Sequence, residues 1–225
     1  YPEPIIVKPT DEQKRVLKQL KTEFAMEDEG HEITISTVLE RTLRYQQVIG
    51  GTFPFEEESG SYSTKPISGK NPKMIAIMRY IEGLHPDCKI VIWARFVPEI
   101  RYIIEALWED YEEEAAVTFY GADDKEQRKI NNRRFQEDKQ CRFIVSNQVV
   151  GGKGQTWTAA NYNVYYSNTF SYLDRYQSES RTHRKGQELP VTYQDIEMAI
   201  PEDRMILRAV RKKRDLAVEV EEALS

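Results

Sequence analysis

Long apolar runs are missing from this sequence. No stretch approaches the ~18 residues needed to cross a bilayer, so no helical membrane span and no membrane partner are expected. Cysteine is scarce. Cys88 and Cys141 are the only two; they match no metal-ligand spacing and are too few for a disulfide scaffold. Both are expected to be reduced and buried in or beside strands, and no metal site is expected. A basic-then-apolar leader is missing too. The chain opens Tyr1-Pro-Glu-Pro4 without an initiator Met, which reads as a fragment of something longer. Basic excess is also lacking: 32 Lys and Arg against 37 Asp and Glu give a formal charge of −5. That average argues mildly against a general nucleic-acid binder.

Core material, by contrast, is plentiful. Thirteen Tyr, 8 Phe and 3 Trp in 225 residues make disorder a poor reading. The length suits one full domain with an appendage. Thr10-Asp-Glu-Gln13 is a capping box ahead of Val16, Leu17, Leu20 and Phe24 at helical spacing. A second helix from about Ser36 stops at Gly50-Gly51. Residues 1–51 thus form a helical lead-in. Residues 52–70, with three consecutive glutamates and then Ser, Gly and Pro, show neither period and are expected to be a loop or connector. From 71 to 225 strands alternate with helices. The strands are Lys89–Ala94, Ala116–Tyr120, Arg142–Ser146, Asn163–Ser167 and Val191–Met198, and Pro201 opens a long final helix. This order predicts an α/β fold with a mostly parallel sheet covered on both faces.

In such sheets ligands gather at the carboxyl ends of the strands. After the third strand of the series comes Gly151-Gly152-Lys153-Gly154-Gln155-Thr156. Its glycines let backbone amides approach an anion. A nucleotide P-loop would need Gly at 147 and Ser or Thr at 154; the residues are Asn147 and Gly154, so the pattern fails twice. A flexible turn remains the alternative. Further on, Arg181 and Arg184 are three apart, so on a helix they share a face. Two guanidiniums followed by Lys and Gly suit a polyphosphate; a charged helix end is the alternative.

The run Gln177-x-x-x-Arg181-x-His183-Arg184-x-Gly186-Gln187 resembles the sixth helicase motif of the Swi/Snf-like branch of superfamily-two DNA translocases. The closing Gln187 favours that branch over RNA helicases, which commonly end the motif in Arg. Gly151-Gly152-x-Gly154 is similar to the fifth motif, although Thr156 stands where the family usually has Asn and the loop is one residue longer. Lys89 to Phe96 resembles the fourth. The resemblance spans residues 72–216, and it implies a RecA-like second lobe preceded by a helical lead-in. It implies ATP and Mg²⁺ held mainly by an absent first lobe of the same longer chain, with this fragment inactive alone. Arg181 and Arg184 would be the catalytic arginines. Gln177, Gly152 and Gly154 would border the nucleotide, and Arg95, Lys153, Gln155 and Thr156 would hold duplex DNA by its phosphates. Lys125, Arg128, Lys129, Arg133 and Arg134 form a basic stretch that tracks DNA or is a solvated face. The helical lead-in resembles bacterial or phage members, which implies a cytoplasmic protein; a eukaryotic member would be nuclear. Asp28-Glu29-Gly30-His31 spells a permitted form of the acidic Mg²⁺ motif, but no apolar strand precedes it. A non-catalytic DNA-binding scaffold and an RNA-directed enzyme are the competing readings.

Overall fold

The computed structural model describes residues 1–27, 34–56, 62–67, 69–152 and 154–224. Six strands form one all-parallel sheet in the order β1-β8-β7-β4-β6-β5. These are β1 (Ile5–Val7), β4 (Lys89–Trp93), β5 (Ala116–Phe119), β6 (Phe143–Ser146), β7 (Ala160–Tyr165) and β8 (Thr192–Met198). Alternation along β4 shows why its run is apolar throughout. Ile90 and Ile92 enter one core with α3 (Pro72–Glu82) and α4 (Val97–Tyr111); Val91 and Trp93 enter a second core with Phe135 of α5 (Lys125–Glu137) and with Trp157. A strand buried on both faces has no polar side to offer water.

Local signals place most helix starts. Gln13 N donates to Thr10 Oγ1 at 3.1 Å and Thr10 N to Gln13 Oε1 at 2.9 Å, closing the capping box at the head of α1 (Asp11–Glu27). Asn71 caps α3 ahead of Pro72, and Ser171 caps α7 (Tyr172–Glu179). Gly51, at φ 102°, ends α2 (Ile35–Gly50) in the left-handed region that favours glycine.

Several expectations change. The lead-in is more than helical, because its β1 pairs with β8 at the sheet edge. Residues 52–70 are not simply a connector: β2 (Thr52–Glu56) and β3 (Tyr62–Pro66) pair as an antiparallel hairpin. Its strands lacked alternation because Pro and Glu interrupt them. The long final helix is two, α8 (Pro201–Arg211) and α9 (Leu216–Leu224), broken where Lys213 takes φ 61°. Asp124 caps α5, and the preceding Asp123 accepts the Tyr120 amide beyond β5. Asp28 to His31 lie outside the described residues, and α1 runs up to Glu27 ahead of them. Cys141 is buried and Cys88 half-buried, both free.

Glu99 joins the lead-in to the sheet. It is 1% exposed. Its Oε2 accepts the amides of Arg95 and Phe96, both at 3.1 Å, and the Ser167 hydroxyl. Its Oε1 is buried against Gly50, without a hydrogen-bond partner among the described residues. Burial raises the Glu99 pKa, against the pull of those hydrogen bonds and of Lys73. A Cβ on Gly50 would overlap Glu99 Oε1. Gly50→Ala is therefore expected to cost about 1–3 kcal/mol, read as a lower urea midpoint.

A raised carboxylate pKa costs stability at neutral pH, and the cost fades as pH falls toward the ordinary Glu value. Glu99→Gln should therefore flatten the change in unfolding free energy between about pH 7 and 5 relative to wild type, measured by urea melts at both pH values.

Candidate nucleotide-facing and nucleic-acid-facing site

The crossover from β6 to β7 begins with a short helix, α6 (Gln148–Gly151), capped by Asn147. Gly152 follows in a helical conformation; its amide donates to the Gln148 carbonyl, and a Cβ there would overlap that carbonyl. A Cβ on Gly152 would also stand 3.5 Å from Gln177 Cβ, so these two residues, both expected to border the nucleotide, are neighbours. Gly154 takes φ 75° with open space around it. Lys153 lies outside the described residues.

Arg181 and Arg184 are not on a helix. They sit in turns after α7, and shared acceptors rather than helical spacing bring them together. Arg181 NH1 and Arg184 NH1 both donate to the Gln155 carbonyl, at 3.0 and 3.3 Å, and Arg184 NH1 also reaches Thr156 Oγ1 at 3.0 Å. Arg181 Nε is held by the Gln177 carbonyl at 2.9 Å. Neither arginine has a carboxylate within salt-bridge distance among the described residues. Burial, and then the charge of Arg184, lower the Arg181 pKa. Two cations facing one carbonyl oxygen leave positive charge uncompensated, a setting that an anion relieves.

The turn is fastened to the sheet face rather than to the carboxyl tips. Trp157 N donates to Arg181 O at 2.8 Å, Asn163 Nδ2 to Thr182 Oγ1 at 2.8 Å, and Gln187 Nε2 to Ala160 O at 2.8 Å. Ala160 begins β7, so the arginines lie beside the amino half of that strand. Asn147 stands at the carboxyl end of β6, whereas the turn bearing Arg181 and Arg184 is anchored along β7. Gln187, matched in the sequence as a motif residue, has a physical task here: its amide also reaches the carbonyls of Thr158 and Thr182, which closes the turn.

Arg95, expected at DNA phosphates, turns inward. Its NH1 donates to Gln46 Oε1 at 2.6 Å and its guanidinium lies 3.8 Å from the centre of the Phe170 ring. Burial drops its pKa to about 10. Its surroundings assign it to packing between α2 and the sheet. Gln155 lies elsewhere, lining a groove of about 670 Å³ with Lys125, Arg128, Lys129, Asn132 and Val149. Part of the basic stretch therefore faces the crossover. Arg134 turns away to the Glu114 carbonyl. Trp93 and Trp157 are fully buried, and Trp157 Nε1 donates to Asn132 Oδ1 at 2.7 Å.

Beneath α7 lies a buried ion cluster that the motif pattern did not reveal. Arg175 donates to Asp195 Oδ1 at 2.5 Å and to Glu179 at 2.6 Å, with its guanidinium 3.3 Å from the Tyr165 ring centre. Arg211 reaches Asp195 Oδ2 at 3.0 Å. Burial alone would raise the Asp195 pKa, but Arg175 and Arg211 outweigh it and hold it below the ordinary value. The available signal was an Asp in the middle of the otherwise regular strand 191–198.

An all-parallel α/β lobe with a glycine crossover meeting an arginine-bearing turn defines the RecA-like helicase class. The profile of the helicase conserved C-terminal domain family matches residues 72–186, and the chain belongs to that family. Solved structures share the fold. The Sulfolobus solfataricus SWI2/SNF2 ATPase core domain aligns over 97% of this chain and 44% of its own, at 20% identity and TM-score 0.71. The same organism's core in complex with dsDNA aligns over 94% and 44%, at 22% identity and TM-score 0.68. Its SWI2/SNF2 ATPase C-terminal domain aligns over 94% of this chain and 85% of its own, at 19% identity and TM-score 0.67. The chain thus spans less than half of the two cores. Among curated proteins none matches by sequence.

Asp195→Asn should cost about 3 kcal/mol in a urea melt by leaving buried guanidiniums short of charge. Because the Asp195 pKa is depressed, its contribution is complete above about pH 4 and lost as pH falls through the folded value. The difference between the two proteins should shrink accordingly in acid.

Proposed function

We propose that this chain is the second motor lobe of a SWI/SNF-like, ATP-dependent translocase on double-stranded DNA. The observation that carries the reading is the pair Arg181 and Arg184, converging on one carbonyl with no carboxylate partner among the described residues. Guanidiniums are planar, permanently charged forks suited to phosphate oxygens. Arg184 would stabilise the charge that spreads over the transferring phosphate, an effect on the order of 10³–10⁵ in rate. Arg181 would hold the turn against Gln155 and add charge beside it. Gln177 and Gly152 would border the nucleotide, with Gly154 giving the crossover its bend. Among the described residues no group of three His, Cys, Asp or Glu side chains would hold a metal. Following the motif resemblance, the reading assigns Mg²⁺ and most ATP contacts to a first lobe in the same longer protein.

Duplex DNA would lie against the crossover and the groove beside α5, contacted by Lys153, Gln155, Thr156, Lys125, Arg128 and Lys129. Such backbone contacts are sequence-independent and weaken with salt. The branch assignment rests on Gln187 and on the shared fold of the SWI2/SNF2 structures. We assign residues 71–225 to the lobe proper, completed at its sheet edge by β1 of the 1–51 lead-in, in an intracellular protein.

Residues 1–225 alone are expected to show no ATPase above background; robust turnover by the purified chain would overturn the second-lobe reading. In the two-lobed protein, duplex DNA should stimulate ATP hydrolysis more than single-stranded DNA or RNA does. Arg184→Ala and Arg184→Lys should both lower kcat by about 10³ or more while ATP binding, followed by a fluorescent nucleotide, persists. Normal turnover in either variant removes Arg184 from its role, and equal stimulation by RNA favours the RNA-directed alternative.

A further inference from the structure

Between the glycine crossover and α7 sits Asn168, just beyond β7 and 7% exposed. Its one amide oxygen accepts from both sides. Gln148 Nε2, at the start of α6, donates to it at 3.2 Å, and Arg175 NH1, on α7, at 2.7 Å. Asn168 Nδ2 donates to Asp195 Oδ1 at 3.2 Å. Gln148 is fully buried and anchors a second point, accepting the Thr169 amide at 2.8 Å. Gln46 of α2 donates to the Asn168 carbonyl at 3.0 Å and accepts from Arg95, so it bonds Asn168 from neither α6 nor α7. All of these groups are buried, and in a low-dielectric setting each bond resists displacement.

The side chains of Gln148, Asn168 and Arg175 bond to one another and to Thr169, Glu179 and Asp195, not to Arg181 or Arg184 of the arginine-turn face among the described residues. They set where that face lies. Gln148 leads into the helical turn that ends at Gly152, and Arg175 precedes Gln177 on α7. Gly152 and Gln177 are neighbours across the gap that a Cβ on Gly152 would fill. The crossover beyond Gly152 is the segment placed against DNA, and the turn after α7, with Gly152 beside it, is placed against nucleotide. We propose that Asn168 is a positioning residue whose amide oxygen locks these two elements in register, so that duplex binding at the crossover is felt at the arginine turn. This rests on the reading under Proposed function. It adds the means by which DNA and nucleotide are coupled in this chain.

The test uses the two-lobed protein, with ATPase measured with and without a blunt duplex and DNA affinity measured by anisotropy. Gln148→Met keeps length and burial while removing both hydrogen bonds. It should lower duplex stimulation by about tenfold, leaving DNA-free turnover, ATP KM and duplex affinity within about twofold. Gln46→Leu, off the path between the two elements, should lower the melting temperature and keep the stimulation. Hydrogen exchange gives a readout independent of turnover. In wild type, duplex binding should slow amides in 147–152 and in 180–187; in Gln148→Met only the first set should slow. If Gln148→Met does not fold, Asn168→Ser carries the same measurements. Unchanged stimulation, a parallel loss of DNA-free turnover, or an equal loss in Gln46→Leu overturns the inference. A wild-type protein that duplex DNA does not stimulate overturns the functional reading and the inference with it.

Discussion

A charged guanidinium with almost no contact with water organises the face of this lobe that bears the arginine turn. Arg175 is 3% exposed. Taking it out of solvent is expensive, and the expense is met by Asp195, Glu179, Asn168 and the face of Tyr165 acting together. Each partner comes from a different element: β8, α7 itself, the segment after β7, and β7. The cluster therefore satisfies its hydrogen bonds in one arrangement of those elements and leaves a buried charge exposed to low dielectric in others. Apolar packing alone tolerates sliding of a helix on a sheet; directional bonds to a planar ion do not. The turn that follows α7 inherits that placement.

Much of the fold was legible because its signals are local. Asn71-Pro72, Thr10 with Gln13, and Gly51 each act within a few residues, and each does what its chemistry predicts. The apolar run at 89–94 reads as a buried strand because nothing else buries both faces. What could not be read depends on distant partners. β1 is three residues long and becomes a strand only by pairing with β8, whose partner residues are 191 positions further along the chain. The hairpin of β2 and β3 has no strand-like alternation, and cross-strand pairing decides it. Lys213, a residue type that rarely takes positive φ, breaks the last helix without any glycine or proline to announce it.

The candidate site divides along the same line. Gln177, Arg181, Arg184 and Gln187 form a recognisable string of residue types, and the structure gathers them around the crossover. The reason for their convergence was misread. Helical spacing predicts a shared face, whereas a shared carbonyl acceptor produces it. Arg95 shows the opposite error: a cation after a strand tip looks like a phosphate contact until Gln46 and Phe170 are seen to enclose it. Net charge was equally uninformative as an average. Glu105, Glu109 and Asp110 lie exposed on α4, which packs against one sheet face, while Lys125, Arg128 and Lys129 lie on the α5 side.

The pairing of β1 with β8 bears on what counts as the minimal piece of this protein. The family match begins at residue 72, yet the sheet begins at Ile5. Starting the chain at residue 72 would leave β8 as a bare parallel edge, its row of amides and carbonyls open to any passing strand. The boundary by which the lobe is recognised and the boundary at which it stays monodisperse are therefore different places in the chain. The first residues act as a selvedge, a finished border that keeps the sheet from unravelling into its neighbours.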